Sequence, residues 1–211
     1  MLTGLAPGRE SDPRIRVLRA TAEELSGDID WGPGKKPRNS YQTALQIIES
    51  LGDDDVLVTK IRGRILRKLA NLALKQNLAR EQDLEPEDRA RKQDRLAEAE
   101  NKLSGAQVAV ARTNDLEEQA AVRESLAELA RQRGRIADAV SLQDEAAMMF
   151  AHAVKADPEN LLLVLNHAVS LQRLGDLQSQ VGDATAARTY SSSLAIIESI
   201  ADAVPNCSGP Q

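Results

Sequence analysis

Aromatic residues are nearly missing from this chain: Trp31, Tyr41, Phe150 and Tyr190 are the whole complement, 2% of 211 residues. A β-sandwich or barrel fills its core with aromatic and β-branched side chains, so an all-β fold is excluded. Cysteine is represented once, by Cys207 near the C-terminal end, which rules out an internal disulfide and a Cys-rich zinc site. Two histidines, His152 and His167, leave little material for a metal centre or a nucleophilic triad, and no metal or cofactor is expected. Neither lies at a His-Glu-x2-His spacing, so both read as ordinary packing or surface residues. Excess positive charge is absent too. Lys and Arg number 27 against 32 Asp and Glu, a net charge of −5, so a general nucleic-acid binder is not expected. The longest apolar run, Leu161 to Leu165, falls far below the ~20 residues of a membrane span. The first residues carry no basic and apolar leader, so the expected location is the cytoplasm. The sequon Asn206-Cys207-Ser208 carries no weight without a secretion signal.

What remains is rich in Ala, Leu, Glu, Gln and Arg, the strong helix formers. Breaks fall at Asp12-Pro13, Gly27 to Asn39, Gly52 to Asp55, Glu85-Pro86, Asn114-Asp115, Gly134, Asp157-Pro158, Gly182-Asp183 and Pro205. Asp53, Asp54 and Asp55 stand where a helix start favours acids, and Glu85-Pro86-Glu87-Asp88 has the form of a helix N-terminus. Between the breaks, eight helical segments are predicted, at about 14–26, 38–51, 56–77, 86–113, 115–133, 136–156, 160–181 and 183–203. Leu96, Ala99, Leu103, Ala106 and Val110 step by three and four and form one apolar stripe. Glu87/Arg91, Asp88/Lys92 and Glu98/Lys102 lie on the opposite, solvated face.

The chain repeats itself. Tyr41 to Leu51 and Tyr190 to Ile200 are identical at six of eleven positions, 149 residues apart. Upstream, a small residue is followed seven positions later by Gly or Asn in four frames: Gly27 and Gly34, Ala70 and Asn77, Ala127 and Gly134, Gly175 and Gly182. Successive frames are 43, 57 and 48 residues apart, which places the last 148 residues after the first. Two independent signals thus give one register. A small residue within a helix admits a close neighbour, and Gly or Asn tolerates the left-handed C-cap that ends it. Ala127 and Gly175 are accordingly expected to be buried, and Gly134 and Gly182 to end their helices.

Leu174-Gly175, Gly182, Ala187 and Leu194 resemble the tetratricopeptide repeat family, as do Leu126-Ala127, Ala130, Gly134, Ala139, Ala146 and Pro158. The resemblance implies an all-α, right-handed helical-repeat solenoid. It would have about four helix-turn-helix units, at about 14–51, 56–113, 115–156 and 160–203. These make a single domain over 1–205 with a disordered tail, 206–211. The period here, 43–57 residues, exceeds the family's 34, so the second helices are longer or carry insertions. The implied function is a non-catalytic protein–protein interaction scaffold that takes a peptide or protein in a concave helical groove. The opening, from Leu5-Ala6 through Gly27-Asp28-Ile29 to Ala44-Leu45, is also similar to repeat arrays that follow bacterial serine/threonine kinase domains. A regulatory segment or partner of such a signalling kinase is therefore an alternative. An oligomerisation module pairing the 96–113 stripe between chains is another.

Local chemistry is sparse. Trp31-Gly32-Pro33-Gly34-Lys35-Lys36 lacks the spacing of a phosphate loop and reads as an inter-helix loop. Ser191-Ser192-Ser193 lacks a nucleophile-elbow frame and reads as a helix surface; Met148-Met149-Phe150 reads as core. The kinase signatures are absent, so the chain is not expected to phosphorylate, and no enzyme is expected. One feature stands out. Val56 to Arg80 holds seven cations and no acid. In the register of the resembled family, Arg64, Arg67, Asn71 and Lys75 would line the groove and meet an acidic or carboxylate-terminated partner. The structural alternative is that this stripe faces the acidic helix of 81–100.

Overall fold

The computed structural model describes residues 12–29, 37–52, 54–76 and 85–203. Among these the chain is all-α. Eight helices follow in order: α1 Pro13–Ile29, α2 Pro37–Glu49, α3 Val56–Lys75, α4 Pro86–Ala111, α5 Leu116–Gln132, α6 Ile136–Ala156, α7 Leu161–Gln180 and α8 Ala186–Ala203. No described helix is long and apolar enough to cross a membrane. Each helix packs on its successor within the pairs α1/α2, α3/α4, α5/α6 and α7/α8. The pairs join through α2/α3 in one compact unit, Met1–Asp115, and through α6/α7 in a second, Leu116–Gln211. The expected loop around Trp31, the cap residues Gly34 and Asn77, Arg80, and the tail with Cys207 lie outside the described residues.

The helix starts are set by local chemistry. The Asp12 carboxylate accepts the Arg14 N–H at 2.9 Å ahead of Pro13, and Asp55 accepts Leu57 and Val58 N–H at 2.7 and 3.4 Å. Asn160 caps α7 by accepting the Leu163 N–H at 3.2 Å. Pro86 opens α4 with Glu87 and Asp88 in its first turn, as the sequence predicts. The stops follow the glycines. Gly134 and Gly182 adopt φ of +73° and +71°. Arg135 N–H reaches back to the Ala130 carbonyl at 2.9 Å, and Asp183 N–H to that of Gln178 at 2.9 Å. Both are Schellman closures, which need a residue without Cβ strain at the left-handed position.

Two boundaries differ from the sequence reading by three residues, the others by at most two. Helix α1 continues through Gly27 to Ile29, because Gly27 is the seat of the Tyr41 ring rather than the start of a loop. Helix α8 begins at Ala186, three residues later than expected. Asp183 first accepts both the N–H and the hydroxyl of Thr185, holding a turn.

In the first unit, Leu96, Ala99, Leu103, Ala106 and Val110 are all buried. The approach of α3 is close: a Cβ at Gly63 would stand 2.8 Å from Val110 Cγ1, and one at Gly105 3.2 Å from Leu66 Cδ1. This stripe, offered above for pairing between chains, is covered within the chain by α3. The second unit has an alanine-rich core built on Ala120, Phe150, Ala153 and Leu163 and on Ala130, Ala139 and Leu177. Ala127 and Gly175 are buried as expected. Phe150 is core and Met149 packs against it, whereas Met148, expected in the core, faces out.

Candidate functional site

The residues expected to bind a partner lie on α3, and the first of them is already engaged. Glu24 and Asp28 stand one turn apart on α1; Arg64 and Lys68 stand one turn apart on α3. Matching helical spacing lets the two pairs meet as rungs. Arg64 donates Nε to Glu24 Oε1 at 2.5 Å and Nη2 to Oε2 at 2.6 Å. Lys68 Nζ bridges Glu24 Oε1 at 2.7 Å and Asp28 Oδ2 at 2.6 Å. The Tyr41 hydroxyl of α2 donates to the other oxygen of Asp28 at 2.7 Å, and the Lys68 ammonium lies 5.8 Å from the Tyr41 ring centroid. Three helices are clasped at one point.

The electrostatics follow from this geometry. Partial burial alone would raise the Asp28 pKa. The hydrogen bonds from Lys68 and Tyr41, with the charges of Lys68 and Arg64, overcome it and hold the carboxyl below its ordinary value. Burial, with the donated bond to Asp28, pushes the Tyr41 phenol well above its usual range. Glu24 is 1% exposed. Withdrawing Arg64 toward a ligand would leave that carboxylate desolvated beside Lys68 alone, a change of several kcal/mol by order of magnitude. The bidentate fork of Arg64 therefore serves the α1–α3 seam.

The rest of the stripe divides. Arg67 and Asn71 are half-buried and Lys75 is exposed. Arg67 lies close enough to Tyr41 for its charge to act on the phenol, and Arg67 and Lys75 both have interactions within the chain. Lys60, at the other end of α3, pairs with Asp115 at 2.5 Å. The structural alternative placed the partners of this stripe on 81–100. Arg64 and Lys68 meet carboxylates of α1, and Glu98 of α4 meets Arg38 of α2 at 2.5 Å.

The second unit has a seam of the same kind. Glu117 and Glu124 stand two turns apart on α5, facing Asn166 and Arg173 on α7. Asn166 Nδ2 donates to Glu117 at 3.3 Å and Arg173 Nη1 to Glu124 at 2.6 Å. Buried Gln143 of α6 completes it, donating to Glu124 at 3.1 Å and to Ser170 Oγ at 2.9 Å. His167 is half-buried and its pKa is lowered by that burial; His152 is exposed. Among the described residues no three His, Cys, Asp or Glu side chains group as metal ligands.

Sequence reasoning missed Glu24, Asp28 and the tyrosines. The available signal was a second layer of the repeat. Gly27-Asp28 with Tyr41 recurs as Gly175-Asp176 with Tyr190. A Cβ at Gly27 would stand 2.5 Å from Tyr41 Cε1, and one at Gly175 2.7 Å from Tyr190 Cε1. Each tyrosine hydroxyl donates to the aspartate after its glycine, at 2.7 and 2.8 Å. The repeat seen in sequence is a repeat of contacts.

Comparison of the chain with protein-family models, with curated proteins and with solved structures finds no match.

Proposed function

We propose that the chain is a non-catalytic protein-interaction scaffold whose four helix pairs are units of a right-handed, tetratricopeptide-like solenoid. The observation that carries this reading is the recurrence of one hairpin, glycine under tyrosine and tyrosine on aspartate, in α1/α2 and in α7/α8. A helix pair of this size cannot bury its apolar face alone, and stacking of such pairs generates extended binding surfaces. The supported partner is an unstructured peptide or protein segment with acidic residues or a free carboxylate, taken on the basic side of α3 by Arg67, Asn71 and Lys75. Arg64 holds the seam beneath them. The ligand carboxylates would exchange for contacts that Arg67 and Lys75 make within the chain, and Arg is suited to this by its planar fork.

A display library of acidic and carboxylate-terminated peptides, screened against the full chain, tests the reading. The expected binder weakens as salt rises through physiological strength, where the Debye length is about 8 Å. Arg67→Glu abolishes its binding and leaves the helical circular dichroism intact. A library with no binder, or a binder indifferent to Arg67→Glu, overturns the proposal.

A further inference from the structure

Helices α2 and α8 share a motif but not an environment. Leu45 and Ile48 of α2 are 6% and 0% exposed; their counterparts on α8, Leu194 and Ile197, are 55% and 41% exposed. The difference lies in the neighbours. Helix α2 packs on α1 and on α3, whereas α8 packs on α7. The same holds for the first helix of each pair. Counting 148 residues on from α1, Ala20 becomes Ala168, both fully buried, and Asp28 becomes Asp176. The α1 side that carries Glu24 and Asp28 is met by α3. On α7 the corresponding side carries Leu162, Leu165, Gln172 and Asp176, with the two leucines 64% and 43% exposed.

This side of α7 and α8 shows aliphatic side chains on two adjacent helices, with an acid among them. The Tyr190 hydroxyl already holds Asp176 as Tyr41 holds Asp28. In the first unit a lysine, Lys68, completes the set by bonding Asp28 over the tyrosine ring. No cation among the described residues is paired with Asp176 in the second.

We propose that the side of α7 and α8 formed by Leu162, Leu165, Asp176, Tyr190, Leu194 and Ile197 is a docking site for an amphipathic helix of a partner protein. The first unit states the chemistry of that helix. It resembles α3: an aliphatic stripe to lie across the two helices, and a lysine or arginine to reach the Asp176 carboxylate above the Tyr190 ring. Charge complementarity at Asp176 fixes its register, and the aliphatic contact supplies its affinity. This site shares no residue with the basic side of α3, so either proposal can fail without the other.

The probe is a labelled peptide of residues 56–76 added to the full chain, with binding read by fluorescence anisotropy. Saturable binding is expected. Leu194→Asp, at an exposed position that leaves folding intact, weakens it about tenfold or more, as loss of a central apolar anchor does. Lys68→Glu in the peptide weakens it about two- to fivefold, and Asp176→Lys in the chain restores that peptide. Gln172→Glu supplies the counterpart of Glu24 for the peptide's Arg64 and tightens binding. Binding that survives Leu194→Asp means that the peptide exchanges into the first unit, and overturns the proposal. So does a charge exchange without rescue. A chain that self-associates in sedimentation, with Leu194→Asp dissolving the association, identifies a second copy as the occupant and overturns the choice of partner.

Discussion

Gly27→Ala and Gly175→Ala are the same substitution at equivalent places, and the structure gives them different outcomes. In an uncrowded helix, Gly→Ala stabilises by about 1 kcal/mol. Here a Cβ at Gly27 would stand 2.5, 2.7 and 2.9 Å from Tyr41 Cε1, Cδ1 and Cζ. Ordinary carbon contacts are about 3.5–4.0 Å, so the ring must retreat by roughly 1 Å. Tyr41 is buried, its hydroxyl is bonded to Asp28, and Lys68 lies over its ring, so retreat strains the packing and the clasp together. Overpacking of this kind costs about 1–3 kcal/mol, and a weakened hydrogen bond adds about 1 kcal/mol. Against the propensity gain, Gly27→Ala should destabilise the first unit by about 1–3 kcal/mol. At Gly175 the distances are 2.7, 2.8 and 3.0 Å, but Tyr190 is half-exposed and can swing toward water. The net effect there should be about zero. Hydrogen exchange with mass spectrometry is the suitable assay, since it reads α1/α2 and α7/α8 separately in a chain of two compact units. Equal stabilisation by both alanines would show that neither glycine is under a ring, and would refute the shared hairpin.

Two further outcomes follow from the clasp. Glu24→Gln removes a charge that Arg64 and Lys68 share at 2.5–2.7 Å. Both cations keep partial access to water and Lys68 keeps Asp28, so the loss should be about 1–3 kcal/mol rather than that of a fully buried pair, and smaller when Arg64→Gln is already present. Urea unfolding of the two single variants and the double variant checks it, and strictly additive losses would mean the pair is not formed. Asp28→Asn tests the pH dependence. The folded pKa of Asp28 is depressed, so its contribution is present above the unfolded value of about 3.9 and is lost as pH falls through the folded value. The stability difference between parent and variant should therefore shrink as pH is lowered from 6 to 3; a constant difference would contradict the assignment.

The helices were written locally. Asp55 before Val56, Pro86 with two acids behind it, and Gly134 and Gly182 seven residues after a small residue act through bonds to near neighbours in the chain. Their effect needs no tertiary contact. The stripe from Leu96 to Val110 was legible for the same reason: helical period alone puts those five residues on one side. Which side chains meet across helices was a different question, because partners 40 or 49 residues apart are joined only when the packing sets the register of one helix on another. Glu24 with Arg64 and Glu124 with Arg173 are such pairs. The basic run on α3 was visible in sequence, but whether its arginines face solvent or a carboxylate depended on where α1 came to lie. Composition could not distinguish Leu45 from Leu194 either. The two leucines sit in the same motif, and their burial differs because α3 follows one helix pair, while among the described residues no further pair follows the other.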